Sequence, residues 1–367
     1  MVGLTALAAG MSLYLFSAAL PLYLFRNRGY SLGLVGALVG LASVVQLIAT
    51  LVAGPLVDRR GARLAMRLGA ACYVVAAGLF LTSASLPAIA LARVLQGVGI
   101  ALVLPAVFSV VPALVSQRFQ GTALGTVGAF NNVAVAIGPP LGLLLLAGSP
   151  ASLFLTALAT AGLAIATSLL LKVGGRAAEP GRLLKYRAAW TPLYAITFLS
   201  VVYWGVVTAF LPIAVPPSQI PNVGWFFTAD ALAVMAARIP TGYLADRFGA
   251  RWLLVAGVTI TGLAISVLLI SPSFITLLVA GVGTGLGAAL LLPPILLELT
   301  KRSNVTDRGT AMALYGTSFA AAVAAGSLGG AVLVQRFGFN ATLVVSLIAC
   351  MAAAPIALAT IRRFEDR

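Results

Sequence analysis

The chain is laid out as apolar runs of about 20 residues or more, separated by short polar or Gly/Pro turns. A helix needs about 20 apolar residues to cross the hydrocarbon of a bilayer. Helices and closed barrels are the only structures that satisfy their backbone polar groups there. Twelve runs are read, at 2–25, 31–53, 65–84, 87–115, 121–147, 151–172, 189–215, 222–245, 251–271, 273–299, 307–334 and 338–361. Composition supports a lipid solvent: 61% of the 367 residues are hydrophobic and 8% are charged, against about 25% charged in soluble domains. A water-soluble enzyme and a large extramembrane domain are both excluded. The expected fold class is an all-α membrane protein with 12 transmembrane helices. The first run begins at Met1 without a basic leader and is read as a retained span.

Charge sets the expected orientation. The net charge is +15, which in a soluble chain would suggest nucleic acid. Here basic loops held on the cytoplasmic side are the better reading, and no nucleic-acid partner is expected. With the N-terminus in the cytoplasm, eighteen of the 23 Lys and Arg fall on cytoplasmic connectors and tail. Three fall outside, at Arg26, Arg28 and Arg336, and two lie within spans, at Arg93 and Arg238. Both termini are therefore expected in the cytoplasm, and the location is the cytoplasmic membrane. The longest polar connector holds Lys172, Gly174, Gly175, Pro180, Gly181 and Arg187. It predicts two bundles, 1–172 and 189–367, joined by a cytoplasmic linker at 173–188. With no His and only Cys72 and Cys350, no zinc or haem ligand set is at hand, and no metal or cofactor is expected.

The two halves repeat. Gly54-Pro-Leu-Val-Asp58-Arg59-Arg-Gly61-Ala-Arg63 recurs as Gly242-Tyr-Leu-Ala-Asp246-Arg247-Phe-Gly249-Ala-Arg251, with seven of ten positions identical at an offset of 188. The same offset pairs Pro105 with Pro293 and Gly138 with Gly326. Two parallel six-helix repeats are a known transporter architecture, with the substrate site near the bilayer midplane. On these residues the chain resembles the major facilitator superfamily over essentially its whole length. The most specific element is the loop motif G-x-L-x-D-R-x-G-x-R after the second helix, with a second copy after the eighth. The resemblance implies a conformational gate at these positions. An acid at a helix end can cap a neighbouring helix or pair with arginine, and breaking such contacts would open one side.

Two further motifs bear on the branch of the family. Arg93-Val-Leu-Gln96-Gly97-Val-Gly99 resembles the R-x-x-Q-G-x-G motif of the proton-coupled branches. Gly138-Pro139-Pro140-Leu-Gly142 resembles the antiporter motif of drug:proton exporters, departing from it at Ala134 and Leu143. Gly and Pro there suit close packing and a kinked helix that rocks.

Asp230 is the one acid well inside a span, eight residues beyond Asn222 and hence about 12 Å deep. A lone charge at that depth costs about 2.5–3.5 kcal/mol on insertion scales. It is expected to carry the coupling proton, with Arg93 or a cationic substrate competing for it. A fixed structural bond is the competing reading for both Asp230 and Arg93. Glu298 is the second candidate carrier, nearer the cytoplasmic end of its helix. Arg238 has Thr50 as its repeat equivalent, so no symmetric arginine pair of the anion-exchanger type exists. Arg238 alone remains a candidate for a carboxylate or phosphate, or for a gate salt bridge.

Other candidate substrate contacts are Tyr14, Ser17, Gln46, Gln96, Asn131, Asn132, Tyr203, Trp204, Tyr315 and Phe319. Aromatics with a few hydroxyls and amides suit an amphipathic ligand. The favoured function is secondary active transport by alternating access, without an enzymatic step. Within it, proton-coupled efflux of a hydrophobic or amphipathic small molecule, lipids included, is favoured. An organic-anion carrier using the intramembrane arginines is the first alternative, and a non-transporting membrane receptor on the same fold is the second. The expected partners are a small-molecule substrate, protons and the lipid bilayer, and the chain is read as a monomer.

Overall fold

The computed structural model describes residues 1–171, 186–270, 273–304 and 307–365, with backbone alone at 54–59, 112–113, 117, 121, 239, 242, 245–249, 308 and 360–365. Ten α-helices and no strands are present among these residues: α1 Val2–Leu22, α2 Leu32–Arg60, α3 Ala62–Thr82, α4 Leu86–Leu114, α5 Gln120–Gly148, α6 Pro150–Leu169, α7 Thr191–Ala214, α8 Trp225–Leu268, α9 Phe274–Lys301 and α10 Arg308–Glu365. Among the described residues, ten stretches are long and apolar enough to cross a membrane. The molecule is thus a multi-pass, all-α membrane protein.

Twelve separate helices were the expectation, and α8 and α10 each carry two of them folded back on one another, the two helices of α10 meeting across a kink at Gly338. α8 has 44 residues and α10 has 58, about 66 and 87 Å if straight. Neither is straight. A Cβ on Gly281 of α9 would lie 2.5 Å from the Phe226 carbonyl oxygen, and one on Gly283 would lie 2.7 Å from Ala264 Cβ. Phe226 and Ala264 would stand about 57 Å apart on a straight helix. Further along α9, Gly285 meets Asp230 while Gly287 meets Thr261. The first arm of α8 therefore runs parallel to α9 and the second runs antiparallel. α10 folds back in the same way at Gly338, whose φ of 82° and ψ of 173° are not helical. The fold brings Thr342 against Gly330.

Helix limits follow local chemistry. Gly61, at φ 86°, separates α2 from α3. Ser149 accepts the Ser152 N–H at 3.1 Å to cap α6, with Pro150 at its first position. Ser273 and Thr276 form a capping box at the start of α9.

The chain divides into two units. The first comprises Met1–Tyr30 and Leu41–Gly181, and the second Ser31–Gly40 and Arg182–Arg367. Ser31 and the first nine residues of α2 go with the second unit, where Gly36 permits contact with Ser327 and Ala331 of α10. In the first unit, Phe16, Phe80 and Phe154 stack at centroid distances of 4.8 to 6.1 Å, with Tyr23 edge-on to Phe154. α1 and α5 touch so closely that a Cβ on Gly142 would lie 2.0 Å from the Leu15 carbonyl oxygen. In the second unit, Trp190, Phe210, Phe226 and Phe227 are fully buried.

Candidate functional site

A cavity of about 170 Å³ lies inside the second unit. α7 presents Thr197, Ser200, Val201 and Trp204 to it, one helical stripe at intervals of three and four residues. The first arm of α8 adds Asp230, Val234 and Arg238, each four residues after the last. Tyr315 and Phe319 of α10 contribute aromatic faces, and Leu291, Leu292 and Ile295 of α9 contribute aliphatic ones. The lining is apolar apart from a few convergent polar groups, the usual make-up of a small-molecule site.

Asp230 is 6% exposed. Its Oδ1 accepts a hydrogen bond from Thr284 of α9 at 2.7 Å. The same hydroxyl lies 3.0 Å from the Gly281 carbonyl oxygen, so its single proton has two acceptors within reach. Tyr203 stands beside both Asp230 and Thr284. Trp204 meets Phe227 edge-on at 5.5 Å. Ser200 is 2% exposed, and its Oγ has no hydrogen-bond partner. Arg238 is half-buried, lines the cavity, and makes no hydrogen bond or ion pair with a described residue.

Of the residues singled out in the sequence, the cavity gathers Asp230, Arg238, Tyr203, Trp204, Tyr315 and Phe319. Glu298 is not among its lining residues. Near the end of α9 it accepts from Lys301 and from Arg302, each at 3.2 Å. Arg302 also donates to the Ala189 carbonyl at 3.2 Å, and Trp190 Nε1 donates to the Arg302 carbonyl at 3.2 Å. Nearby, Arg187 reaches Asp307 at 2.5 Å.

The remaining proton-coupling and substrate candidates belong to the first unit. Arg93 is 8% exposed and donates to Gln96 Oε1 at 2.5 Å, one turn along α4. Tyr14 and Asn131 are hydrogen-bond partners between α1 and α5. Gly138 lies against Tyr14, where a Cβ would come within 2.7 Å of Tyr14 Cβ, and Pro139 is buried beside it. The Asn132 Nδ2 is buried without a partner. Ser17 and Gln46 are half-buried. Of the gate residues, Arg63 is half-buried and Arg251 lies 5.3 Å over the Trp252 ring. The side chains of Asp58, Arg59, Asp246 and Arg247, and the surroundings of Gly54, Gly242 and Gly249, lie outside the described residues, as does 173–185 of the linker.

Sequence reasoning missed Thr284 and Ser200. A signal for Thr284 was present: Gly281 and Gly285 have the small-xxx-small spacing of a tight helix contact and bracket it. No local signal marks Ser200.

The sequence profile of the Major Facilitator Superfamily matches residues 2–217 and 193–367. An uncharacterised MFS-type transporter of Salmonella typhimurium is 28% identical over 311 residues, covering 81% of this chain and 79% of that protein. The multidrug resistance protein 1 of Bacillus subtilis is 28% identical over 173 residues, covering 46% of this chain and 44% of that one. The 3-(3-hydroxy-phenyl)propionate transporter of Escherichia coli is 34% identical over 106 residues, covering 28% of this chain and 26% of that one. Among solved structures, a peptide transporter POT in complex with sulfate has a TM-score of 0.80 at 15% identity, with 98% of this chain and 93% of that chain covered. The latter likeness is one of fold alone. With the profile matching both halves, the chain belongs to the Major Facilitator Superfamily.

Proposed function

We propose that this transporter-family protein moves an amphipathic small molecule out of the cell in exchange for protons, by alternating access of its two halves. The observation that carries the reading is Asp230, an acid 6% exposed at a largely apolar cavity with Thr284 as its hydrogen-bond partner. A carboxylate left charged in lipid-like surroundings is costly, so this group favours a bound proton or a bound cation. Proton and cationic substrate then exclude one another, which is the thermodynamic requirement of an exchanger. The resemblance to a multidrug resistance protein supports efflux. In this reading the chain performs no enzymatic step, acts as a monomer in the cytoplasmic membrane, and keeps both termini inside. Arg93 with Gln96, and the Tyr14–Asn131 pair, are proposed contacts of the first half, and the paired loop motifs are its gates.

A second reading is an organic-anion carrier. It is favoured by Arg238 on the cavity wall and by the likeness to a phenylpropionate transporter of Escherichia coli.

The test is substrate-triggered proton flux in proteoliposomes holding a pH-sensitive dye. Lipophilic cations, neutral amphiphiles and organic anions are added in turn. Flux with the first two groups, abolished in Asp230→Asn, is the expected result. Flux with anions alone, unchanged in Asp230→Asn, would move the assignment to the anion carrier. Binding without net movement of any solute would point to a receptor.

A further inference from the structure

The three residues that the first arm of α8 contributes to the cavity are ordered acid, apolar, base: Asp230, Val234, Arg238. They are the cavity's only charged pair among the described residues, and neither has an ionic partner there. Eight residues of helix separate the two charges by about 12 Å of rise. Side chains lean toward the helix N-terminus, so the long Arg238 stem shortens that gap. Between them lie Val234 and the aliphatic wall of α9, including Leu291 and Ile295. Ser200, buried and without a partner, adds one free hydroxyl.

Each charge alone is expensive in this setting. A ligand with one charged end compensates one of them and leaves the other. A ligand with two opposite ends and an apolar body compensates both at once.

We infer that this cavity selects an amphipathic zwitterion, held lengthwise along α8 with its cationic end at Asp230 and its anionic end at Arg238. The inference rests on the transporter reading above and narrows its substrate class. Asp230 and Arg238 touch opposite ends of the same ligand, and the apolar middle sets its length. Under proton exchange, the incoming proton displaces the cationic end from Asp230, and the anionic end alone holds too weakly to retain the ligand.

The probes are ω-aminooctanoate, octylamine and octanoate, which share one chain length and differ only in their ends. Binding to the full chain in lipid nanodiscs is measured by calorimetry. The expected result is that ω-aminooctanoate binds at least about tenfold tighter than either single-ended probe, or about 1.4 kcal/mol. Asp230→Asn should bring it down to the affinity of octanoate, and Arg238→Gln to that of octylamine. Arg238→Lys should retain most of the preference, and thermal melting of the ligand-free variants verifies that they fold. Octylamine binding as tightly as ω-aminooctanoate, with Arg238→Gln indifferent, would overturn the inference. So would no detectable binding of ω-aminooctanoate. The proteoliposome assay separates the two levels: flux with other amphiphiles that persists leaves the exchanger reading standing, and flux that is absent removes both.

Discussion

Thr284 donates its hydroxyl to the Asp230 carboxylate at 2.7 Å across a contact between α9 and the first arm of α8. The approach is set by the neighbouring residue: a Cβ on Gly285 would fall 2.2 Å from the Asp230 carbonyl oxygen. The small residue brings the two backbones together, and the closeness puts the hydroxyl on the acid.

Thr284→Val keeps the shape of the side chain and deletes the donor. The buried carboxyl then loses its hydrogen bond, which for a charged acceptor is worth about 1.5–3 kcal/mol in soluble proteins. The expected outcome is a lower melting midpoint in nanodiscs and slower proton flux. Thr284→Ser restores the donor and should recover most of both.

Gly285→Ala should separate α8 from α9. Overpacking of this kind costs about 1–3 kcal/mol, and here the obstacle is backbone, which cannot rotate away. Gly162→Ala in α6 is the matched control, since nothing lies within 4 Å of the added carbon. Melting midpoints should fall for the first variant. For the second they should stay level or rise, because Ala is the better helix former by about 1 kcal/mol.

Gly338→Ala tests the hairpin of α10. No neighbour lies within 4 Å, so the effect isolates the backbone conformation, φ 82° with ψ 173°. That region is essentially reserved for glycine and costs other residues about 1–3 kcal/mol. A destabilisation of that size by thermal melting is expected, and an unchanged midpoint would show that the hairpin adopts another turn.

Arg187 and Asp307 are 120 residues apart in sequence and 2.5 Å apart in space. The pair ties the entry of α7 to the turn before α10. It is only partly buried, at 36% and 12% side-chain exposure. A double-mutant cycle with Arg187→Ala and Asp307→Ala should yield a coupling of about 1 kcal/mol or less, falling as salt is raised. Full additivity of the two single changes would show that the ion pair contributes nothing.

The run lengths and the 188-residue repeat are enough to read an all-α, two-fold repeated membrane protein. A bilayer sets a length and a polarity that any crossing segment must meet, so those properties are written locally. Asp230 was legible for the same reason: a carboxyl in an apolar run is conspicuous wherever it points. Thr284 and Ser200 were not, because a hydroxyl on a membrane helix is commonplace and can satisfy itself on its own backbone, as Thr197 does by donating to the Leu193 carbonyl at 2.9 Å. Whether such a side chain serves its helix or a neighbour depends on which way the helix is turned and how near the next one comes. Packing sets both, as Gly281 and Gly285 against Phe226 and Asp230 show. Glu298 looked available from the sequence, yet the fold around the end of α9 gives it Lys301 and Arg302 and leaves it off the cavity wall. Arg187 needed the fold to meet Asp307. Local chemistry decides which segments enter the lipid, and tertiary packing decides which polar atoms face one another there.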